Sequence, residues 1–223
     1  MVLQSATAKT IAHWLGVREP PPTGLLLVGA GNVARAIGKA LQESEINIIL
    51  TDSNWENIKQ ARMDGLNTYY GNPTSEHADR NLNLTGIGKM LAMTGNANQN
   101  ALASLRFKSE FGVQNIFELK TNREQIISEK HSLSTKHRGY QLFNDDITYG
   151  QIASLLRQGA EIKSTQLSDE YDYEAYIAHR TEQLIPLFAI DRRDRLHIIT
   201  AEQKIDPESG WSVMSLIMDS QTT

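Results

Sequence analysis

Leu25-Leu26-Leu27-Val28-Gly29-Ala30-Gly31-Asn32-Val33-Ala34 is the stretch that decides the fold of this chain. Four apolar residues in a row predict a strand buried on both faces, and the glycines after it predict a sharp turn into a helix. Gly29 permits the tight turn, Gly31 keeps side chains away from an approaching phosphate, and Ala34 stands where close helix packing needs a small residue. A helix N-terminus reached through such a turn presents free backbone amides to an anion. The pattern Gly-x-Gly-x-x-Ala is weak alone, because glycine pairs occur in many turns. Its setting strengthens it, with a strand before and a helical pattern after.

Working outward, Asn32 to Glu43 places Val33, Ile37, Ala40 and Leu41 on one helical face. Ile46 to Leu50 predicts the second strand, ending at Thr51-Asp52. Asn54 to Asp64 reads as a helix broken by Gly65, and Asn67 to Tyr70 as a short third strand closing on Gly71-Asn72-Pro73. Met90 to Thr94 is the fourth strand, and Asn98 to Phe111 a helix with Leu102, Leu105 and Phe107 among its apolar positions. Ile116 to Leu119 is the fifth strand. Apolar strands alternating with helices imply a parallel sheet covered on both faces, with its ligand crevice at the carboxyl ends of the strands. Gly31, Asp52, Gly71 and Thr94 all fall at such ends.

Beyond Leu142-Phe143 the pattern changes. Ile147 to Gln158 is a helix with Ile152, Leu155 and Leu156 inward, ended by Gly159. Ala160 to Leu167 reads as a strand and Tyr171 to Arg180 as a helix. Pro186 to Ile190, Leu196 to Thr200 and Trp211 to Ile217 read as strands joined by turns at Asp191-Arg192-Arg193-Asp194 and Pro207-Glu208-Ser209-Gly210. The expected fold class is therefore α/β, a doubly wound Rossmann-like parallel sheet followed by a small α+β C-terminal subdomain. At the N-terminus, Ile11, Trp14 and Leu15 predict a short amphipathic helix, and Pro20-Pro21-Pro22 a stiff connector. The expected divisions are 1–23 for helix and linker, 24–158 for the nucleotide-binding domain and 159–223 for the subdomain.

Composition narrows the function. A net charge of −4 over 223 residues argues against a nucleic-acid binder working through a basic surface. The absence of cysteine excludes disulfides, thiolate metal sites and cysteine nucleophiles. No apolar run approaches the roughly 20 residues that span a bilayer, and the N-terminus lacks the pattern of a signal peptide.

Asp52 lies 21 residues beyond Gly31, the spacing at which an acid bonds ribose hydroxyls. A carboxylate there also disfavours the 2′-phosphate of NADP. Asp52 has a second reading as the N-cap of the helix near Asn54, and Arg35 reads either as a phosphate contact or as a solvated helix residue. A Rossmann-like turn that binds nothing is the plain alternative for the whole site. Glu76-His77-Ala78-Asp79 matches no common zinc spacing and reads as a surface helix start. His131 and His137 read as loop residues, the acidic run Asp169 to Glu174 as a solvated face, and Trp211 as filling the second core. No Tyr-x-x-x-Lys pair, Gly-x-Ser-x-Gly elbow or Asn-Pro-Pro-Tyr loop occurs. No catalytic residues are expected, and no metal.

Residues Leu26 to Leu41, Asp52, Tyr70-Gly71-Asn72-Pro73 and Asn100 to Arg106 together resemble the TrkA-N or RCK-N domain, which regulates potassium channels and transporters. The pattern is most similar to the cytosolic form attached to bacterial sodium:proton antiporters, and covers Gly24 to about Leu156. Val2 to Gly16 resembles the end of an antiporter membrane domain, and Asp206 to Val213 the closing strand of RCK-C-like modules. The resemblance implies a homodimeric, non-enzymatic sensor on the cytoplasmic face of the membrane, joined to an upstream transmembrane domain. It implies NAD(H) as the ligand, with AMP or ATP as alternatives. The implied binding residues are Gly29, Ala30, Gly31, Asn32, Val33, Asp52, Ser53, Gly71, Asn72 and Thr94. Asn72 stands where the family usually has aspartate, which leaves the nucleotide preference open. A soluble NAD-dependent oxidoreductase with a C-terminal substrate domain is the rival reading, and a module that only dimerises is a third.

Overall fold

The computed structural model describes residues 22–122, 139–178 and 184–218. The expected N-terminal helix, Pro20 and Pro21, and both His131 and His137 lie outside the described residues.

Strand β1 (Gly24–Val28) is buried along its whole length. Helix α1 (Asn32–Glu43) follows the glycine turn and buries Val33, Ala34, Ile37, Gly38 and Leu41, the stripe that its period predicts. Strand β2 (Ile48–Asp52) runs parallel to β1, with Leu25 opposite Ile48 and Val28 opposite Thr51. It starts two residues later than the apolar run. Glu45 takes a left-handed φ of 60°, and the Ile46 amide turns back to the Leu41 carbonyl at 3.0 Å, so Ile46 finishes the helix.

Helix α2 (Trp55–Met63), strand β3 (Thr68–Tyr70) and the short helix α3 (Glu76–Asn81) come next. Strand β4 (Ile87–Ala92) crosses to the other side of β1, and helix α4 (Ala97–Phe111) leads to β5 (Ile116–Glu118). A two-residue strand β6 (Tyr140–Gln141), too short to leave a periodic signal, completes the sheet. The order is β3-β2-β1-β4-β5-β6, all parallel. The chain reverses direction across the sheet between β1 and β4, the position where such folds open a crevice.

Helix α4 buries Asn100, Ala103, Ser104 and Phe107, spaced i, i+3, i+4, i+7. Leu102 and Leu105 fall off that stripe and are 60% and 57% exposed. Counting apolar residues alone does not find this face, because two of its four members are polar.

Helix α5 (Tyr149–Arg157) opens with a capping box between Thr148 and Gln151. A second sheet follows, built from β7 (Glu161–Gln166), β8 (Leu184–Ile190), β9 (Leu196–Ile198) and β10 (Ser212–Ile217) in the antiparallel order β7-β10-β8-β9. Helix α6 (Tyr173–Ala178) packs on it, its buried Tyr176 hydroxyl 2.7 Å from Ser215 Oγ. Pro186 lies in β8 beyond the stretch paired with β9, and the register against β10 shifts beside it. Asp169, Glu170, Asp172 and Glu174 are exposed, and Trp211 packs at the margin of the second core against His197, ring centres 4.7 Å apart.

One hydrophobic cluster runs from β1, α1 and α2 through α5 to Leu187, Phe188, Ile198, Met214 and Leu216 of the second sheet. Phe143 meets Phe188 edge to face at 5.6 Å, and its amide donates to the Ile199 carbonyl at 3.0 Å. The shared core predicts that Phe188→Ala costs about 3–5 kcal/mol and moves the unfolding of both sheets together. Chemical denaturation followed by circular dichroism and by tryptophan fluorescence should show one coincident transition at lower denaturant.

The β8–β9 turn is organised by Asp191. Its oxygens accept from the Arg193 amide at 2.8 Å, the Arg195 amide at 3.1 Å and the Arg195 guanidinium at 2.7 Å, and face His197 Nε2 at 3.1 Å. Burial works against the charge, but the bonds from His197, the two amides and the guanidinium outweigh it and hold the carboxyl well below the usual range. A depressed carboxyl contributes stability that is complete above its ordinary pKa near 4 and is lost as pH falls below it. Asp191→Asn should therefore lower stability at neutral pH and flatten the fall below about pH 4, as read from thermal melts across that range.

Candidate functional site

The carboxyl ends of β1, β2, β3 and β4 meet around one cleft. Val28, Gly29, Thr51, Asp52 and Ser53 form one side, and Asn72, Pro73 and Thr74 the rim. Thr94, Gln99, Leu102 and Ala103 face them, enclosing a cavity of about 220 Å³. Pockets that bury a whole drug-sized ligand hold about 300–1,000 Å³, so this cleft has room for one nucleoside half.

The glycine turn is fixed by backbone geometry. Gly29 has φ of 111°, and a Cβ there would lie 2.9 Å from the Met93 carbonyl oxygen. Its amide donates to the Thr51 carbonyl at 2.7 Å. Gly31 has an ordinary φ of −65° and serves as the N-cap of α1 without a side-chain capping bond. A Cβ on it would come within 2.8 Å of the Tyr149 hydroxyl. Ala30 and Val33 are buried beneath the turn, and Asn32 is half-buried at its exit.

Asp52 joins these parts. Its Oδ2 accepts from the Ala30 amide at 2.9 Å and from Asn57 Nδ2 at 2.8 Å, while Oδ1 accepts from the Asn54 amide at 2.8 Å. Three of the roughly four acceptor sites of a carboxylate are thus taken, leaving capacity toward the cleft that it lines. Its second sequence reading, as N-cap of α2, is corrected by the structure. Asn54 caps that helix, accepting from the Glu56 amide at 2.9 Å, and Asp52 orients Asn54.

Arg35 is tied down as well. Its Nη1 donates to the Ala30 carbonyl at 3.0 Å, and its Nε pairs with Asp64 at 3.0 Å. The arginine supports the turn from behind. Asn72 forms an Asx turn in which Oδ1 accepts from the Thr74 amide and hydroxyl at 3.0 and 2.9 Å. Gly71, with φ of 145°, donates to the Asp52 carbonyl at 2.9 Å. Ser53 and Asn72 are exposed, and Thr94 is half-buried.

Two residues that sequence reasoning missed complete the site. Buried Asn100 accepts at Oδ1 from the Thr94 amide and hydroxyl at 3.1 and 2.6 Å, and donates to the carbonyls of Thr94 and Leu119 at 3.1 and 3.3 Å. It braces the ends of β4 and β5. Its polar type on the buried stripe of α4 was the available signal. Tyr149, from α5, lies over Gly31 and beside Gly95, and its hydroxyl reaches Asn32 Oδ1 at a long 3.4 Å. Burial, then the negative charge of Asp52, push its phenol pKa up, against a lesser opposite pull from Arg35 and Arg157. It faces the turn as a neutral hydroxyl.

The Glu76–Asp79 segment forms α3, capped by Ser75, with Asp79 paired to Arg106. Among the described residues, no group of three or more histidine, aspartate or glutamate side chains could hold a metal ion. No helix among them is long and apolar enough to cross a membrane.

The strand order and the cleft at the switch point define a doubly wound domain of the nucleotide-binding class. Residues 25–133 match the family model of the TrkA-N domain. Comparison with curated proteins gave no match. Among solved structures, the TrkA-N domain of the inner membrane protein ybaL from Escherichia coli is 17% identical, with 61% of this chain and 95% of that one covered at a TM-score of 0.46. The NAD(P)-binding domain of an exopolyphosphatase-related protein from Archaeoglobus fulgidus is 15% identical, with 47% and 78% covered at 0.40. The GsuK channel bound to NAD is 15% identical, with 92% of this chain and 41% of that one covered at 0.42.

The positive φ and the 2.9 Å approach at Gly29 predict that Gly29→Ala costs about 1–3 kcal/mol. Urea unfolding should show a lowered midpoint with an unchanged slope.

Proposed function

We propose that this chain is a nucleotide-sensing regulatory domain of a monovalent cation transporter, a sodium:proton antiporter by resemblance, and that it is not an enzyme. The observation that carries the reading is the cleft in which the Asp52 carboxylate, hydrogen-bonded to the Ala30 amide of the glycine turn, faces exposed Leu102 across a nucleoside-sized gap. Ribose hydroxyls would donate to Asp52, an adenine ring would lie against Leu102 and Ala103, and phosphates would meet the amides of Gly31, Asn32 and Val33. Ser53, Asn72 and Thr94 would hydrogen-bond at the rim. NAD(H) is the proposed ligand, with AMP or ATP as alternatives. A carboxylate at the ribose position works against NADP.

In this reading residues 24–158 sense the nucleotide, and residues 159–223 relay its presence. Residues 1–23 lead to a transmembrane partner, so that the domain works at the cytoplasmic face as a homodimer. An oxidoreductase would need a proton donor near the crevice. The hydroxyls that line the cleft are the plain alcohols of Thr51, Ser53, Thr74 and Thr94, which are far weaker acids than a phenol or an imidazolium, and this supports the regulatory reading.

Calorimetric titration with NAD, NADH, AMP and ATP tests this. At least one should bind well below millimolar concentration. Asp52→Ala should weaken that binding about 10- to 100-fold, the worth of hydrogen bonds to a charged group. Binding by none of the four would overturn the proposal, and so would substrate-dependent oxidation of NADH by the chain alone.

A further inference from the structure

The space beside Gly31 is already occupied. The Tyr149 hydroxyl stands 2.8 Å from where a Gly31 Cβ would be, and the same ring passes 3.4 Å from where a Gly95 Cβ would be. The ring thus spans from the β1 turn to the loop after β4, across the switch point of the sheet. Its reach is set by its backbone. The Tyr149 amide donates to the Lys120 carbonyl at 2.8 Å, Thr148 bridges to Lys120, and the Gly150 amide donates to Asn122 Oδ1 at 3.0 Å. Helix α5 is therefore hung from the end of β5 with its first residue laid on the glycine turn.

We infer that the Tyr149 hydroxyl holds the place of a nucleotide phosphate on Gly31, so that phosphate-bearing ligands displace it and a nucleoside without phosphate does not. The inference rests on the nucleotide-binding reading above. It adds a residue that sets the ligand class and a route for the signal. The polar contact to be broken is weak, at 3.4 Å to Asn32 Oδ1, so the competition is modest and reversible. The cleft beside Asp52, Gln99 and Leu102 does not include Tyr149, so adenosine can enter while the tyrosine stays seated. A mononucleotide or dinucleotide must lift the ring to reach the amides of α1.

Lifting the ring transmits. Tyr149 is the first residue of α5, whose Ile152 and Ala153 are buried in the cluster shared with Phe188, Met214 and Leu216. The helix ends at Gly159, where the Ala160 amide returns to the Leu155 carbonyl at 2.9 Å, and the chain enters β7 directly. A shift of the α5 N-terminus is thereby coupled to the second sheet through the apolar cluster that α1, α5 and β8 share.

The test measures binding of adenosine, AMP and NAD to the wild-type chain, Tyr149→Phe and Tyr149→Ala by calorimetry. Tyr149→Ala should bind AMP and NAD about three- to tenfold more tightly, because a site blocked part of the time binds with its affinity reduced by the open fraction. Adenosine should be unaffected. Tyr149→Phe keeps the ring packing and removes only the hydroxyl, so a smaller gain for AMP and NAD is expected without loss of folding. In hydrogen exchange, NAD should deprotect the Tyr149 and Gly150 amides of the wild-type chain. Weakened or unchanged nucleotide binding in both variants overturns the inference while leaving the nucleotide-binding reading intact, as does an equal gain for adenosine. Absence of any nucleotide binding in all three proteins overturns both.

Discussion

The 2.9 Å hydrogen bond from the Ala30 amide to the Asp52 carboxylate is the contact on which the rest of the site depends. It ties the turn after β1 to the end of β2, two positions 22 residues apart in the chain. In a parallel sheet these ends are neighbours only because a whole helix intervenes, so the bond also reports that α1 has packed correctly. The carboxylate cannot serve this role alone. Asn54 and Asn57 hold its oxygens from the other side, and Arg35 braces the Ala30 carbonyl while pairing with Asp64 at the end of α2. The turn is clamped from both of its polar faces, and the anion-attracting amides of α1 are aimed before any ligand arrives.

That preorganisation explains why the glycine residues are not interchangeable. Gly29 is required by the sheet itself, because β4 passes so near that the Met93 carbonyl would strike a Cβ. Gly31 has no such backbone requirement, since its φ is one any residue adopts. What it accommodates is external to the turn, a phosphate in the familiar reading and the Tyr149 hydroxyl in this structure. One glycine shapes the turn, and the other makes room for what lies against it.

The parallel half was readable because its signals are local. Leu25 to Val28 is continuous and apolar, the stripe of α1 follows its period, and the spacing of Asp52 is set by one strand–helix–strand unit. Boundaries slipped where local chemistry competed, as at Ile46, which the helix claims for its own C-terminus. The buried face of α4 was hidden because Asn100 and Ser104 take places that apolar counting reserves for residues such as Leu102 and Leu105. Tyr149 was invisible for a different reason. Nothing in Thr148-Tyr149-Gly150 marks a contact with Asn32, 117 residues earlier. Only the hanging of α5 from β5 brings them together. Long-range placement of that kind is a property of topology, and no periodicity records it.

The same topology decides how a nucleotide site can speak to the rest of the molecule. Helices α1 and α2 are packed into the core and clamped at their ends, which makes them poor carriers of a small displacement. Helix α5 differs. It lays its first side chain on the glycine turn with one weak polar contact to Asn32, while the rest of its length lies in the apolar cluster shared by α1 and the second sheet. A ring held by one weak polar contact, at the head of a helix packed into the shared core, has two seats available at one end and one response at the other. Such an asymmetry is the physical requirement for converting occupancy of a cleft into movement elsewhere, since a ligand shifts an equilibrium only by its differential contacts with the two states. In this chain those contacts are concentrated where phosphate and tyrosine claim the same surface of Gly31.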